Sequence, residues 1–236
     1  MPIRLATYNI HRCVGADGRF SPDRIIGVIA ELNADVVALQ EVEHRAVGGR
    51  DLLDYLADAL SMKAVAGPTL LRGTCHYGNA LLTRLPVRAT ERVDLSVHRH
   101  EPRGALNVEL DWGSSRLQVV ATHLGLWPAE RRRQVRQLLA LFEFGRADVS
   151  VLLGDINEWL LWGRPLRWLR RHFADTQRPP ATWPARLPLL ALDRLWANPG
   201  AALSAIESHR SEAARRASDH LPLSAVLTDH RWHERA

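Results

Sequence analysis

Residues 148–165 read DVSVLLGDINEWLLWGRP. Val149 to Leu153 is an apolar run of strand length, yet it ends in Asp155 and Asn157 and is followed at once by Trp159 and Trp162. Apolar Ile156 lies between the two polar residues, as expected where alternate side chains of a strand end face one site. The same arrangement recurs. "IRLATYNI" ends near Asn9 and His11, "DVVALQEV" carries Gln40 and Glu41, and "LQVVATHL" carries Thr122 and His123. "LPLSAVL" differs, because Ser218, Asp219 and His220 precede it. If this last strand runs antiparallel to the others, all five clusters meet at one edge.

"GNALLTR", "GALNVEL" and "LDRLWA" complete the set of short runs rich in Val, Ile, Leu or Ala and bounded by polar residues. Helical patterns lie between them. Pro22 opens one with Ile25, Ile26, Ile29 and Leu32 on a face, and a second runs from about Arg50 to Leu60. A third begins at Pro128, with Val135, Leu138, Leu139 and Phe142 on one side and the Arg131–Arg133 triplet assigned to its solvated face. A fourth starts at Pro165, with Trp162, Leu166, Leu169 and Phe173 at helical spacing. Strands interspersed with helices predict an α/β or α+β protein with mixed sheets. No repeat or low-complexity linker divides the 236 residues, so a single domain over 1–236 is expected.

Composition excludes several classes. No run approaches the length of a membrane-spanning helix. The N-terminus enters a strand pattern directly, and no secretory signal is expected. Cys13 and Cys75 sit in no metal-binding or redox spacing, which fits two reduced thiols in a cytosolic protein. There is no HExxH, GxSxG or Walker pattern. The net charge of +5 suits anionic partners. Its carriers are almost all arginine, with Lys63 the only lysine, a bias that a GC-rich genome also produces.

A polar residue at one strand end is ordinarily a turn former. Acids, amides and histidines gathered from five strand ends are another matter, because their carboxylates repel unless a divalent cation lies among them. Carboxylate and amide oxygens suit Mg²⁺ or Mn²⁺. A metal-dependent hydrolase follows.

"TYNIH", "LQEVE", "YGNALLTR", "EPRGAL", "THL", "GDINE", "LDRLWA" and "ASDHLPL" occur in that order over residues 7–227 and resemble the endonuclease/exonuclease/phosphatase superfamily. Further stretches are similar to a bacterial subgroup often encoded near a cardiolipin synthase. This chain departs from that subgroup in having Trp183 where Phe is usual and "GDIN" in place of "GDFN". The resemblance implies a four-layer α/β sandwich, two mixed β-sheets face to face with helices outside. It also implies hydrolysis of a phosphoester by in-line attack of water.

Residue by residue, the resemblance makes Glu41 the principal metal-binding carboxylate, with Asn9 and Asp219 contributing directly or through water. Asp155 orients or deprotonates the water, Asn157 holds the phosphate, and His220 lies beside it with Asp193 in support. Either Asp155 or His220 can be the base. His123 is a second histidine that Glu101 and Arg103 buttress, and His11 and His76 are loop histidines near the substrate. Trp127 and Trp159 follow catalytic motifs and are candidates for the rim of the mouth, Trp159 suiting rim and core equally, while Trp162 fits the outer helix layer. Tryptophans there suit a nucleic-acid base or a membrane interface. The expected activity is a phosphodiesterase acting on a phospholipid or small phosphoester, with a DNA or RNA nuclease as the alternative. A monomer in the cytoplasm, peripheral to the inner face of an anionic membrane, is the corresponding expectation.

Overall fold

Alternation along the strands builds the layers. In β1 (Ile3–Asn9) Leu5 faces one way and Ala6 and Tyr8 the other, and each direction meets a separate apolar cluster. The computed structural model describes residues 1–72, 75–143 and 147–228. After β1 come α1 (Pro22–Leu32), β2 (Val36–His44), the short pair β3 (Ala46–Val47) and β4 (Arg50–Asp51), α2 (Leu52–Leu60), β5 (Lys63–Arg72) and β6 (Cys75–Thr83). Then follow β7 (Val87–Asp94), β8 (Gly104–Trp112), β9 (Ser115–His123), α3 (Pro128–Glu143), β10 (Val149–Asp155) and α4 (Arg164–His172). The last elements are β11 (Asp193–Asn198), β12 (Leu203–Ser208), α5 (Glu212–Ala217) and β13 (Leu223–Leu227).

Two large sheets form, ordered β12-β13-β1-β2-β6-β5 and β11-β10-β9-β8-β7. Each has one parallel pair, β1 with β2 and β10 with β9. Between the sheets lie Leu5, Val36, Leu81 and Leu223 of the first against Leu106, Val119, Val151 and Leu153 of the second. The first sheet buries its other face under α1, α2 and α5, through Ile25, Leu56 and Ala214 among others. The second does so under α3 and α4, through Leu138, Leu166 and Leu169. The four-layer sandwich of mixed sheets is therefore observed. No helix among the described residues is long and apolar enough to cross a membrane.

The eight strands expected from apolar runs are all present. β5, β7 and β12, which those runs do not reveal, each lie at the edge of a sheet. An edge strand with one solvated face has no apolar alternation: in β7 nearly every residue is exposed. β5 holds Pro68 at a register shift opposite β6, a position an edge strand tolerates.

Two expectations are corrected. Trp162 lies before α4 and is 72% exposed, so it does not cap the helix layer. Arg131 is not on the solvated face of α3 but is 1% exposed. Its spacing from Val135 and Leu138 puts it on the buried stripe of that helix.

Candidate active site

β13 pairs antiparallel with β1, which brings residues 218–220 to the end of the sandwich where β1, β2, β9 and β10 finish. Two backbone devices aim the side chains there. In β2 the register with β6 shifts between Leu39 and Val42, and Glu41 inside that bulge has φ +58°. A left-handed conformation costs a non-glycine residue about 1–2 kcal/mol, and a bulge re-aims the side chain out of the sheet alternation. Asn157 likewise has φ +54°. Between β9 and β10, Gly154 (φ +147°) lies so close to Thr122 that a Cβ would collide with the Thr122 carbonyl oxygen. Only glycine lets the strands approach this closely immediately before Asp155.

Asp155, 1% exposed, is the focus of the cluster. Its Oδ1 accepts the Asn157 backbone N–H at 3.0 Å. Its Oδ2 accepts from the Asn9 amide at 3.1 Å, with His123 Nε2 at 3.5 Å and His220 Nε2 at 3.7 Å. Asn9 also donates to Glu41 Oε1 at 3.2 Å, so one amide nitrogen joins the two carboxylates. The side-chain oxygen of Asn9 accepts the His11 N–H at 3.0 Å, and Ser218 donates its hydroxyl to the Asn9 carbonyl at 2.7 Å.

The two histidines occupy opposite environments. Burial by itself depresses His220, but the negative charges of Asp193 and Asp155 more than offset it and raise the imidazole to about 10. His220 Nδ1 lies 2.8 Å from Asp193 Oδ2, which also accepts the Thr182 hydroxyl at 2.5 Å. His220 is thus a cation at neutral pH with its Nε2–H turned toward Asp155. His123 is pushed down to about 3, first by burial and then by the Arg103 guanidinium. Arg103 Nη1 lies 3.0 Å from His123 Nδ1, and because arginine has no acceptor, that nitrogen must accept and Nε2 must carry the proton. Glu101 holds Arg103 from the other side at 3.6 Å. Paired titratable groups pushed apart in this way are typical of acid–base assignments in active sites.

The remaining expected residues are less central. Asn157 donates one amide hydrogen to the Leu124 carbonyl at 2.9 Å, which leaves the other hydrogen for a ligand. Asp219 is half-buried and accepts from Trp183 Nε1 at 3.4 Å, with His11 Nδ1 at 3.8 Å. Trp159 is 49% exposed at the rim, with the Arg131 guanidinium 5.9 Å from its ring. His76 is exposed on β6 opposite His44, apart from the residues around Asp155. Gln40 turns inward and exchanges hydrogen bonds with Thr7, so it joins β1 to β2 and does not face the site.

Two sets of donors could hold a metal ion. Asp155, Asp193 and His220 place ligand-capable atoms within 4.8 Å of one another, but Asp193 Oδ2 is already engaged by Thr182 and His220. Glu41 and Asp155 turn carboxylate oxygens toward one position, bridged by the Asn9 amide nitrogen, without an Asp–His bond between them, and hard oxygen donors of this kind suit Mg²⁺ or Mn²⁺.

Sequence reasoning missed the polar layer beneath the site. Glu158, 2% exposed, accepts from Arg131 Nε at 3.2 Å and Nη2 at 3.0 Å and from the Leu160 N–H at 3.1 Å. Arg131 Nη1 donates to the Gly125 and Leu126 carbonyls at 3.2 and 2.6 Å. Gln134 accepts the Gly125 N–H, so α3 grips the loop after His123 while Glu158 anchors the loop after Asn157. The helical spacing of Arg131 with Val135 and Leu138 is the signal that identifies it.

Residues 6–220 match the profile of the Endonuclease/Exonuclease/phosphatase family. "Uncharacterized protein YbhP" of Escherichia coli (strain K12) is 30% identical over 246 aligned residues, covering 95% of each chain. Among solved structures, an endonuclease/exonuclease/phosphatase from Beutenbergia cavernae DSM 12333 is similar with TM-score 0.76 and 26% identity, over 96% of this chain and 71% of that one. D. rerio TDP2 complexed with single strand DNA product has TM-score 0.71 and 17% identity over 97% and 99% of the two chains, a likeness of fold.

Proposed function

The chain belongs to the endonuclease/exonuclease/phosphatase family, and from that premise we propose that it is a divalent-metal-dependent phosphodiesterase acting on a phospholipid or small phosphodiester. The observation that carries this reading is the convergence of Asn9, His123 and His220 on Asp155 Oδ2, with Glu41 joined through Asn9. These three donors are spaced to receive the oxygens of a phosphoryl group in a buried site, where fixed dipoles act strongly.

Glu41, with Asn9 and Asp219, would hold a divalent cation such as Mg²⁺ or Mn²⁺. When bound, such an ion neutralises a phosphoryl oxygen and stabilises the departing oxygen. Asp155 is the base. His220, raised to about 10, already carries its proton at neutral pH and cannot accept another. Asp155 therefore orients water and takes its proton as the water oxygen bonds to phosphorus and the opposite P–O ester bond breaks. The products are a phosphomonoester and an alcohol. His220 and neutral His123 donate Nε2–H to phosphoryl oxygens, and the second amide hydrogen of Asn157 does the same. Asp193 and Arg103 position the two imidazoles.

The test is hydrolysis of bis-p-nitrophenyl phosphate, nucleic acids and phospholipids with Mg²⁺ or Mn²⁺. Asp155→Ala is expected to abolish turnover with an unchanged circular dichroism spectrum, and EDTA to abolish it reversibly. Retained turnover of the good diester by the variant defeats the mechanism. A nuclease is the second reading, since the D. rerio relative was solved with single-strand DNA product, and turnover of nucleic acid in place of lipid selects it.

A further inference from the structure

The large apolar side chains left exposed are not scattered. Apart from Met1, every one among the described residues lies on one of three loops. Leu126 and Trp127 follow β9 and are 65% and 62% exposed. Leu161 and Trp162 follow β10, with Trp159 beside them. Leu187 and Leu189 precede β11 and are 67% and 70% exposed. β9 and β10 run parallel and end at His123 and Asp155, and β11 begins at Asp193 opposite Asp155. All three loops therefore leave the end of the sandwich that carries the site.

These side chains are held outward from below. The buried Arg131–Glu158 pair ties the first loop to the second, and Glu130 accepts the Trp127 N–H. The third loop is bonded to the site through the Ala185 N–H and Asp219 carbonyl at 2.7 Å. The backbone of each loop is thus tied down beneath its exposed apolar side chains. Clustered, exposed apolar groups of this kind mark an interaction surface.

The exposed charge carried by these loops and the helices that follow them has one sign. Within residues 124–133, 156–171 and 182–192 the acidic side chains are Glu130 and Glu158, and both are buried. The exposed or half-exposed ionised groups there are arginines, including Arg133, Arg164, Arg167 and Arg186. Arginines beside tryptophan and leucine match the boundary of an anionic bilayer, where the chain stems and rings enter the headgroup region and the guanidinium groups meet phosphate. A nucleic acid would satisfy the arginines and stack on the tryptophans, but it offers nothing to four exposed leucines.

We propose that this rim docks the mouth of the site on an anionic phospholipid bilayer, so that the phosphodiester to be cut is presented from the membrane surface. The docking names the source of the substrate and rests on the phosphodiesterase reading above, yet it can be tested without turnover. The full chain carrying Asp155→Ala is mixed with vesicles of phosphatidylcholine alone, or of phosphatidylcholine with phosphatidylglycerol. Binding is read by co-sedimentation and by quenching of tryptophan fluorescence with brominated lipid.

The expected result is binding to the anionic vesicles with quenching. Adding Leu126→Ser, Trp127→Ser and Trp162→Ser should weaken it by at least about tenfold with unchanged circular dichroism. In the otherwise native chain these three substitutions should leave hydrolysis of soluble bis-p-nitrophenyl phosphate unchanged. Absence of vesicle binding overturns the docking, as does binding that the rim variant retains in full. Rim-dependent binding of single-stranded DNA, or rim-dependent dimerisation, without vesicle binding also overturns it. Vesicle binding by a chain that hydrolyses no diester with any metal leaves the docking standing and overturns the hydrolase reading.

Discussion

Arg131 and Glu158 meet at 3.0 Å with 1% and 2% of their side chains exposed, and neither residue is placed to touch substrate. Replacing Glu158 by Gln keeps its shape but sets an amide N–H₂ against guanidinium donors, or else turns it and forfeits the Leu160 N–H. Replacing Arg131 by Met leaves the Glu158 carboxylate buried without a cation and strips donors from the Gly125 and Leu126 carbonyls. Breaking a buried pair from one side costs about 3–5 kcal/mol. For a chain of this size that lowers Tm by about 6–20 °C, at roughly 2–4 °C per kcal/mol. The double variant Arg131→Met/Glu158→Gln removes both charges and keeps an oxygen for the Leu160 N–H, and its remaining cost is chiefly that of two under-satisfied carbonyls, about 1–3 kcal/mol each. Its destabilisation should therefore fall well short of the sum of the single effects. Thermal and denaturant unfolding of the four proteins measure this coupling. Because the pair anchors the loops after His123 and Asn157, the single variants should also lose on the order of 10²-fold in diester turnover. Single variants within about 1 kcal/mol of the parent and additive in the double would refute the reasoning.

Asp193→Asn removes the anion that helps to raise His220 to about 10, so the alkaline limb of kcat should move down by about 1–3 pH units. Folding raises His220 above 6.5, so its contribution to stability is complete below that pH and drains away toward pH 10; in the variant this alkaline decline should flatten. Folding depresses His123 to about 3, so its contribution is complete above pH 6.5 and is lost as pH falls toward 3. Arg103→Gln should shrink that acid dependence in urea titrations at stepped pH. Gly154→Ala places a Cβ against the Thr122 carbonyl and should cost on the order of 3 kcal/mol, measured by chemical denaturation, while Ala at exposed Gly18 should leave Asp155 undisturbed.

Much of this site is legible in the chain because its residues sit at the ends of apolar strands. The alternation that buries Val151 and Leu153 also sets where Asp155 falls, and the same holds for Asn9 and His123. The edge strands β5, β7 and β12 escaped because a solvated face carries no apolar period, as β7 demonstrates. Arg131 and Glu158 escaped for a related reason: on charge alone a helical arginine reads as solvated, and only its distant partner makes burial tolerable.

The sequence by itself determined which chemical groups lie at the ends of apolar strands, since hydrophobic periodicity is local and survives without coordinates, while the four-layer sandwich was implied by the family resemblance. The tertiary structure alone decided their protonation. His123 and His220 are the same residue type, and neither carries a mark in the chain of being neutral or charged. Burial and Arg103, which comes from 20 positions away, keep the first a neutral donor, while Asp193, from 27 positions away, and Asp155 make the second a cation. Electrostatic identity depends on distance in space and on desolvation, and folding sets both.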